Sequence, residues 1–175
     1  MGHWRTKELT IYVCGGCNLQ CEYCYPGDYI PGVTKANEKF VFSGIDYFMI
    51  ENRDKYRMNK IRFYALGEPT LNIDLIKRIV EYVNTNVSGI TEYEIQTNGV
   101  FNAEVAKWLA DNMSMIWISY DGLPDFQNSQ RKYKGSSGNT ADIVEQNISI
   151  IRQGKTKLGI RPTITNASMM LPAAS

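Results

Sequence analysis

The whole cysteine complement of this 175-residue chain stands in one run, C-G-G-C-N-L-Q-C-E-Y-C, at residues 14–24. Sulfurs crowded at such spacings bind soft metals or bridge one another. A disulfide among them would close only a short loop and restrict little of the unfolded chain, whereas disulfide frameworks spread their cysteines to staple distant loops. A structural zinc cage takes four thiolates, usually as two pairs held apart by a longer finger; here three residues separate the inner two. An iron–sulfur cluster suits the crowding, since a short loop can wrap one cube. Cys17, Cys21 and Cys24 give C-x3-C-x2-C, and Cys14 adds C-x2-C in front. Three protein ligands on a four-iron cluster leave one iron open, and an open metal position is where a substrate or cofactor binds. Four ligating cysteines would close it.

The elements that must position this run read as alternating strands and helices. Residues 8–13 (E-L-T-I-Y-V) form the first strand, ended by Gly15-Gly16. Pro26-Gly27-Asp28 and Pro31-Gly32 mark a loop, and a helix from Asn37 carries Val41, Ile45, Phe48 and Met49 at helical spacing. The second strand is 60–65, stopped by Leu66-Gly67-Glu68-Pro69. Asn72 or Asp74 caps the next helix, which buries Ile76, Ile79, Val80 and Val83. A third strand, 91–97, meets Asn98-Gly99, and Asn102 caps a short helix with Val105, Ala106 and Leu109. A fourth strand, 115–119, precedes Tyr120-Asp121-Gly122. Residues 127–139 read as a long polar loop. Thr140 precedes a helix with Val144, Ile148 and Ile151, closed by Gly154, and 158–165 is a fifth strand whose Pro162 points to an edge or a bulge.

This order gives an α/β fold of parallel βα units. Such folds gather ligand-binding loops at the carboxyl ends of the strands. The cysteine loop, Gly67-Glu68-Pro69, Thr97-Asn98 and Ser119-Tyr120-Asp121 therefore converge on one rim.

Composition excludes other classes. Hydrophobic residues make up 43% and charged residues 21%, an ordinary globular balance with enough chain for one cored domain. A net charge of +1 leaves no basic patch for nucleic acid, no apolar run approaches a membrane span, and the first residues lack an apolar signal region. The expected location is cytoplasmic and reducing. His3, the single histidine, sits in the terminal segment, which disfavours histidine acid–base chemistry; no catalytic acid or base stands out.

The C-x3-C-x-aromatic-C pattern, with Tyr23 at the aromatic position, resembles the signature of the radical S-adenosylmethionine (radical SAM) superfamily. The resemblance runs from about Thr10 to Thr165. It implies a (β/α)6 partial barrel, here incomplete with five of six strands, and 1–175 as one core domain, either truncated at its C-terminus or with its open sheet edge covered by a partner chain. It implies a 4Fe–4S cluster on Cys17, Cys21 and Cys24, with Cys14 a neighbouring thiol, and S-adenosylmethionine chelated to the open iron with its adenine against Tyr23. Gly67 and Glu68 resemble the G-G-E-P motif that meets the cofactor's amino group, Leu66 replacing the first glycine and crowding the site. Asn98, in T-N-G, and Ser119, in S-x-D-G, resemble motifs of the sulfatase-maturase and peptide-maturase subgroup, with Arg131 placed as its cofactor-carboxylate arginine. That subgroup's later cysteine-rich region has no counterpart after Cys24.

The function implied is oxidoreductase-type. One electron from a donor such as flavodoxin or ferredoxin cleaves S-adenosylmethionine to methionine and a 5′-deoxyadenosyl radical, which takes hydrogen from a peptide or protein substrate. Two alternatives stay open: an activase that makes a glycyl radical on a partner enzyme, and a non-enzymatic iron–sulfur or zinc module with all four cysteines ligating.

Overall fold

The structure is a computed structural model that describes residues 7–25, 34–89 and 91–164. His3, the loop of Pro26 to Gly32, Thr165 and the tail from Met169 lie outside the described residues.

Five parallel strands and one short antiparallel strand make the main sheet. They are β1 (Glu8–Gly16), β3 (Thr34–Lys35), β4 (Lys60–Gly67), β5 (Glu92–Thr97), β6 (Met115–Ile118) and β8 (Lys157–Ile160), in the spatial order β3-β1-β4-β5-β6-β8. Only β3, at one edge, runs antiparallel to its neighbour. The sheet is not closed: its ends are β3 and β8. All five expected strands are therefore present and parallel, as a partial barrel requires.

Two strands run past the glycines expected to stop them. Gly15 pairs with Leu66 and with Thr34, and Gly16 pairs with Gly67, so pairing on both flanks of β1 holds residues that local propensity would release. The last strand is shorter than expected. It ends at Ile160, before Pro162, which has no N–H to give a ladder.

Helices follow the strands. The first is α1 (Glu38–Ile45), whose N-cap Asn37 accepts from Phe40 N–H; it continues as a π-helical turn (Asp46–Glu51) and a short α2 (Arg53–Tyr56). Then come α3 (Ile73–Asn86), α4 (Ala103–Asn112), α5 (Pro124–Gln130) and α6 (Thr140–Ile151). Their apolar faces are the ones the periodicity selects: Ile76, Ile79, Val80 and Val83 on α3, Val105, Ala106 and Leu109 on α4, and Val144 and Ile151 on α6 are buried. They form one core with Ile11, Val13, Ile61, Phe63, Ile95, Ile116 and Ile118 from alternate strand positions.

The intervening strand positions face the other way. Thr10, Tyr12, Lys60, Arg62, Tyr64, Glu94, Gln96 and Trp117 line an open cavity of about 930 Å³. At its base Glu8 and Glu94 alternate with Lys60 and Arg62 in a four-membered charge network.

Two expectations fail locally. Asn72 stands at the N-terminus of α3, but its amide donates to Val13 O at 2.9 Å instead of capping, because a 3-10 turn (Pro69–Asn72) precedes the helix and Glu68 caps that turn. The stretch 127–139 is not one long loop. It holds the end of α5 and a strand β7 (Arg131–Tyr133), which pairs antiparallel with β2 (Leu19–Cys21) in a separate two-stranded ribbon. Three-residue strands made by pairing across more than a hundred residues leave no periodic signal.

Candidate active site

The cysteine loop leaves β1 and is held by the β2–β7 ribbon. Leu19 lies opposite Tyr133, Gln20 opposite Lys132 and Cys21 opposite Arg131. Glu22 N–H donates to Gln130 O at 2.9 Å and Lys134 N–H to Asn18 O at 3.0 Å, which extends the ribbon at both ends. Cys24 N–H then turns back onto Cys21 O at 3.1 Å.

The result puts Cys17, Cys21 and Cys24 on one open cavity of about 990 Å³, walled opposite by Lys132, Tyr133 and Ser136. Cys14 is not on it. Cys14 is buried in β1, and its thiol donates to Glu68 O at 3.3 Å.

Burial pushes the Cys21 thiol up to about 11, offset in part by the Arg131 charge and raised further by the thiolates of Cys17 and Cys24. Burial raises Cys17 as well, against the pull of Leu19 N–H at 3.4 Å and Asn98 Nδ2 at 3.7 Å from its sulfur. The three sulfurs thus lie within electrostatic reach of one another. Burial, and then the Glu68 charge, takes Cys14 to about 11.

Three soft donors on one cavity, with a fourth turned away, fit an iron–sulfur cluster that keeps one iron free of protein. Among the described residues no three His, Cys, Asp or Glu side chains crowd close enough to hold a single ion. The corners of a four-iron cube stand further apart than the ligands of one ion, so that spacing is no bar to a cluster.

The strand ends around the loop are locked together. Gly67, at φ +138°, lies so close to β1 that a Cβ there would stand 1.9 Å from Gly16 O. The close backbone approach at this glycine is therefore to β1. Glu68 N–H donates to that same Gly16 O at 2.9 Å. The Glu68 carboxylate is fully buried: Oε1 accepts from Thr70 N–H at 3.0 Å, Thr70 Oγ1 at 2.7 Å and Thr97 Oγ1 at 2.6 Å, and Oε2 accepts from Asn98 N–H at 2.7 Å. Burial raises this carboxyl while those four bonds lower it, the net shift being upward. Leu66, expected to crowd the site, is 53% exposed at the end of β4.

Asn98 bridges the third strand's turn to the cysteine loop. Its Nδ2 donates to Asn18 Oδ1 at 2.8 Å as well as to Cys17 Sγ, its Oδ1 accepts from Val100 N–H at 2.8 Å, and Asn18 Nδ2 donates to Val100 O at 2.9 Å. Ser119, half-buried, is tied to the same rim by its N–H on Thr97 O at 2.9 Å.

Tyr23 and Arg131 meet at Asp121, a residue expected on the rim but not among the expected cofactor-binding residues. The Tyr23 phenol donates to Asp121 Oδ2, Arg131 Nε to the same oxygen at 3.0 Å, and Arg131 Nη2 to Oδ1 at 3.3 Å. The guanidinium also lies over the Tyr23 ring, 5.2 Å from its centre. The signal available was its position, just past the end of β6, where rim residues gather.

All six residues expected around the cofactor, Tyr23, Gly67, Glu68, Asn98, Ser119 and Arg131, thus come to one end of the sheet. None lines the thiol cavity itself. Four of them hold the cysteine loop: Asn98 through Cys17, Arg131 through its pairing with Cys21, and Gly67 and Glu68 through the end of β1.

The sequence pattern of the radical SAM superfamily matches residues 11–172. An uncharacterized protein of Methanocaldococcus jannaschii is 33% identical over 170 residues, covering 93% of this chain and 54% of that protein. A probable GTP 3′,8-cyclase of Methanococcus aeolicus is 27% identical over 165 residues, covering 94% of this chain and 50% of that one. The chain spans about half the length of the curated relatives it matches. In fold it is similar to the solved structure of native anSMEcpe with bound AdoMet and the Cp18Cys peptide, at a TM-score of 0.72 and 24% identity, covering 87% of this chain and 42% of that one.

Proposed function

The chain belongs to the radical SAM superfamily, and we propose that it is the core of an enzyme in which Cys17, Cys21 and Cys24 hold a 4Fe–4S cluster while Cys14 stays outside. The superfamily's cofactors are that cluster and S-adenosylmethionine. The observation that carries the reading is the division of the thiols, three on one cavity and the fourth bonded to Glu68 O. When bound and reduced by one electron, cluster and cofactor supply a 5′-deoxyadenosyl radical able to take hydrogen from an unactivated carbon.

The chain's own residues do the rest. Leu19 N–H and Asn98 Nδ2 hydrogen-bond the Cys17 sulfur and favour its thiolate, and the Arg131 charge does the same for Cys21. The Glu68 carboxylate locks the ends of β4 and β5 together, leaving backbone and rim side chains rigid. Tyr23, Gly67, Glu68, Asn98, Ser119 and Arg131 are assigned to the S-adenosylmethionine side of the site. A flavodoxin- or ferredoxin-type donor supplies the electron.

For substrate we assign a peptide or protein side chain, on the likeness of Thr97-Asn98-Gly99 and Ser119-x-Asp121-Gly122 to motifs of peptide-modifying members. A nucleotide substrate is the second reading, favoured by the relative named a probable GTP 3′,8-cyclase, which aligns with 94% of the chain.

The test is anaerobic reconstitution with iron, sulfide and reductant, then chromatography for 5′-deoxyadenosine. Wild-type protein forms it, and Cys21→Ala loses both the brown absorbance and the product. Retention of either by Cys21→Ala contradicts the assignment. Stimulation of turnover by peptides but not by GTP supports the first substrate, and the converse supports the second.

A further inference from the structure

One carboxylate gathers donors from three separate parts of the chain. Asp121 Oδ2 accepts from the Tyr23 phenol, in the cysteine loop, and from Arg131 Nε at 3.0 Å, in β7. Its Oδ1 accepts from Arg131 Nη2 at 3.3 Å and from Thr163 N–H at 2.9 Å, just beyond β8. The pair is dry, with side-chain exposures of 8% for Arg131 and 2% for Asp121. Asp121 is itself held from behind, its N–H donating at 3.0 Å to Oε1 of the fully buried Gln127.

A buried pair of this kind is a poor device for stability alone, because desolvation cancels much of the attraction. It is a good device for orientation. Each Asp121 oxygen takes two donors, so the carboxylate fixes the Tyr23 phenol and the Arg131 fork at once. It does so from the turn after β6, outside the β2–β7 ribbon. Arg131 Nε and Nη2 are spent on Asp121, which leaves Nη1 as the nitrogen free of that pair. The Tyr23 ring, in turn, is held between its own hydrogen bond and the guanidinium over its face.

We propose that Asp121 is a positioning residue for S-adenosylmethionine, acting on that ligand through Tyr23 and Arg131 and not touching the cluster thiols. The proposal rests on the radical SAM reading above. It assigns the aspartate of the S-x-D-G run a task separate from that of Ser119.

Asp121→Asn is the informative change. An amide presents one oxygen and one NH2, so whichever way it turns, two of the four donors lose their acceptor, and of the four only the Tyr23 phenol can reverse and accept instead. The experiment uses the anaerobically reconstituted protein. It reads iron content, the electron paramagnetic resonance spectrum of the reduced cluster with and without S-adenosylmethionine, and the affinity for S-adenosylmethionine by calorimetry. Asp121→Asn is expected to keep wild-type iron and the wild-type spectrum without ligand, to bind S-adenosylmethionine about tenfold more weakly or worse, and to alter the ligand-induced spectral shift. Tyr23→Phe, which keeps the ring and removes the phenol that bonds Asp121 and the Thr163 side chain, is expected to weaken binding about threefold. In the Asp121→Asn background the same change costs nothing further.

Wild-type affinity in Asp121→Asn overturns the proposal, as does loss of iron in step with affinity, which would make the pair a scaffold only. Multiplicative losses in the double variant overturn it too, since they mean that Asp121 does not act through Tyr23. If Asp121→Asn does not fold, Tyr23→Phe decides alone: unchanged affinity at full iron content overturns the proposal. A wild-type protein that holds a cluster but binds no S-adenosylmethionine fails at the earlier step, the radical SAM reading, and is distinguished by that control.

Discussion

Gly67→Ala, which replaces one Cα hydrogen by a methyl group, should damage the rim. Gly67 sits at φ +138°, a conformation that residues with a Cβ rarely adopt. Such backbone strain costs about 1–3 kcal/mol. The new Cβ would also stand 1.9 Å from Gly16 O and 2.5 Å from Gly16 C, both backbone atoms that cannot swing aside. Restoring an ordinary carbon–oxygen contact means parting the ends of β1 and β4 by about 1.4 Å. That motion opens the 2.9 Å bond from Glu68 N–H to Gly16 O, worth about 0.5–1.5 kcal/mol. The sum is a loss of about 1.5–4.5 kcal/mol, concentrated where the chain enters the cysteine loop. Gly122→Ala is the control, because Gly122 shares a positive φ of +101° but has nothing within 4 Å of a Cβ. Anaerobic urea unfolding of both variants, with iron content measured beside it, separates strain from clash. Gly67→Ala should lose more stability than Gly122→Ala and retain less iron. Equal losses, or full iron in Gly67→Ala, would refute the claim that this close approach shapes the loop.

Two further outcomes follow from the geometry. Cys14→Ala should keep the cluster and its absorbance, because that thiol faces Glu68 O and not the cavity, while unfolding at slightly lower denaturant; loss of the cluster would make Cys14 a ligand. Glu94→Gln should cost about 1.5–2 kcal/mol at neutral pH, the lower part of the range for bonds to charged groups, since its partner Arg62 is 39% exposed. Burial pulls the Glu94 carboxyl upward, yet Lys60 and Arg62 outweigh it and hold the group below the usual carboxylate range. The stability this confers is present above the unfolded carboxylate value of about 4.3 and is lost as pH falls through the lower folded value. Acid unfolding of Glu94→Gln should therefore be less steep there than in the wild type, and an unchanged acid limb would contradict the pairing.

What could be read from the sequence was whatever repeats locally. The five parallel strands announce themselves through β-branched and aromatic runs. The helices do so through residues such as Ile76, Ile79, Val80 and Val83 at a 3.6-residue period. The cysteine run is legible because its chemistry lies in spacing alone. The rim locks were not legible, because each is made by residues far apart in the chain. Glu68 meets Thr97 and Asn98 across about thirty residues. Cys21 meets Arg131 across the β2–β7 ribbon, whose strands are too short to show an alternation. Asn72 is a good capping residue by type, and it is diverted only because Val13 O stands within reach. Asp121 is placed on the rim by the sequence, but its partners Tyr23, Arg131 and Thr163 reach it only through the fold.

The proposed chemistry requires a cluster held by Cys17, Cys21 and Cys24 that accepts S-adenosylmethionine at its remaining iron. The most direct measurement is the electron paramagnetic resonance spectrum of the reduced, anaerobically reconstituted protein, recorded before and after adding S-adenosylmethionine. A four-iron signal that shifts on addition is the predicted result. A four-iron signal that does not change when the cofactor is added would contradict it.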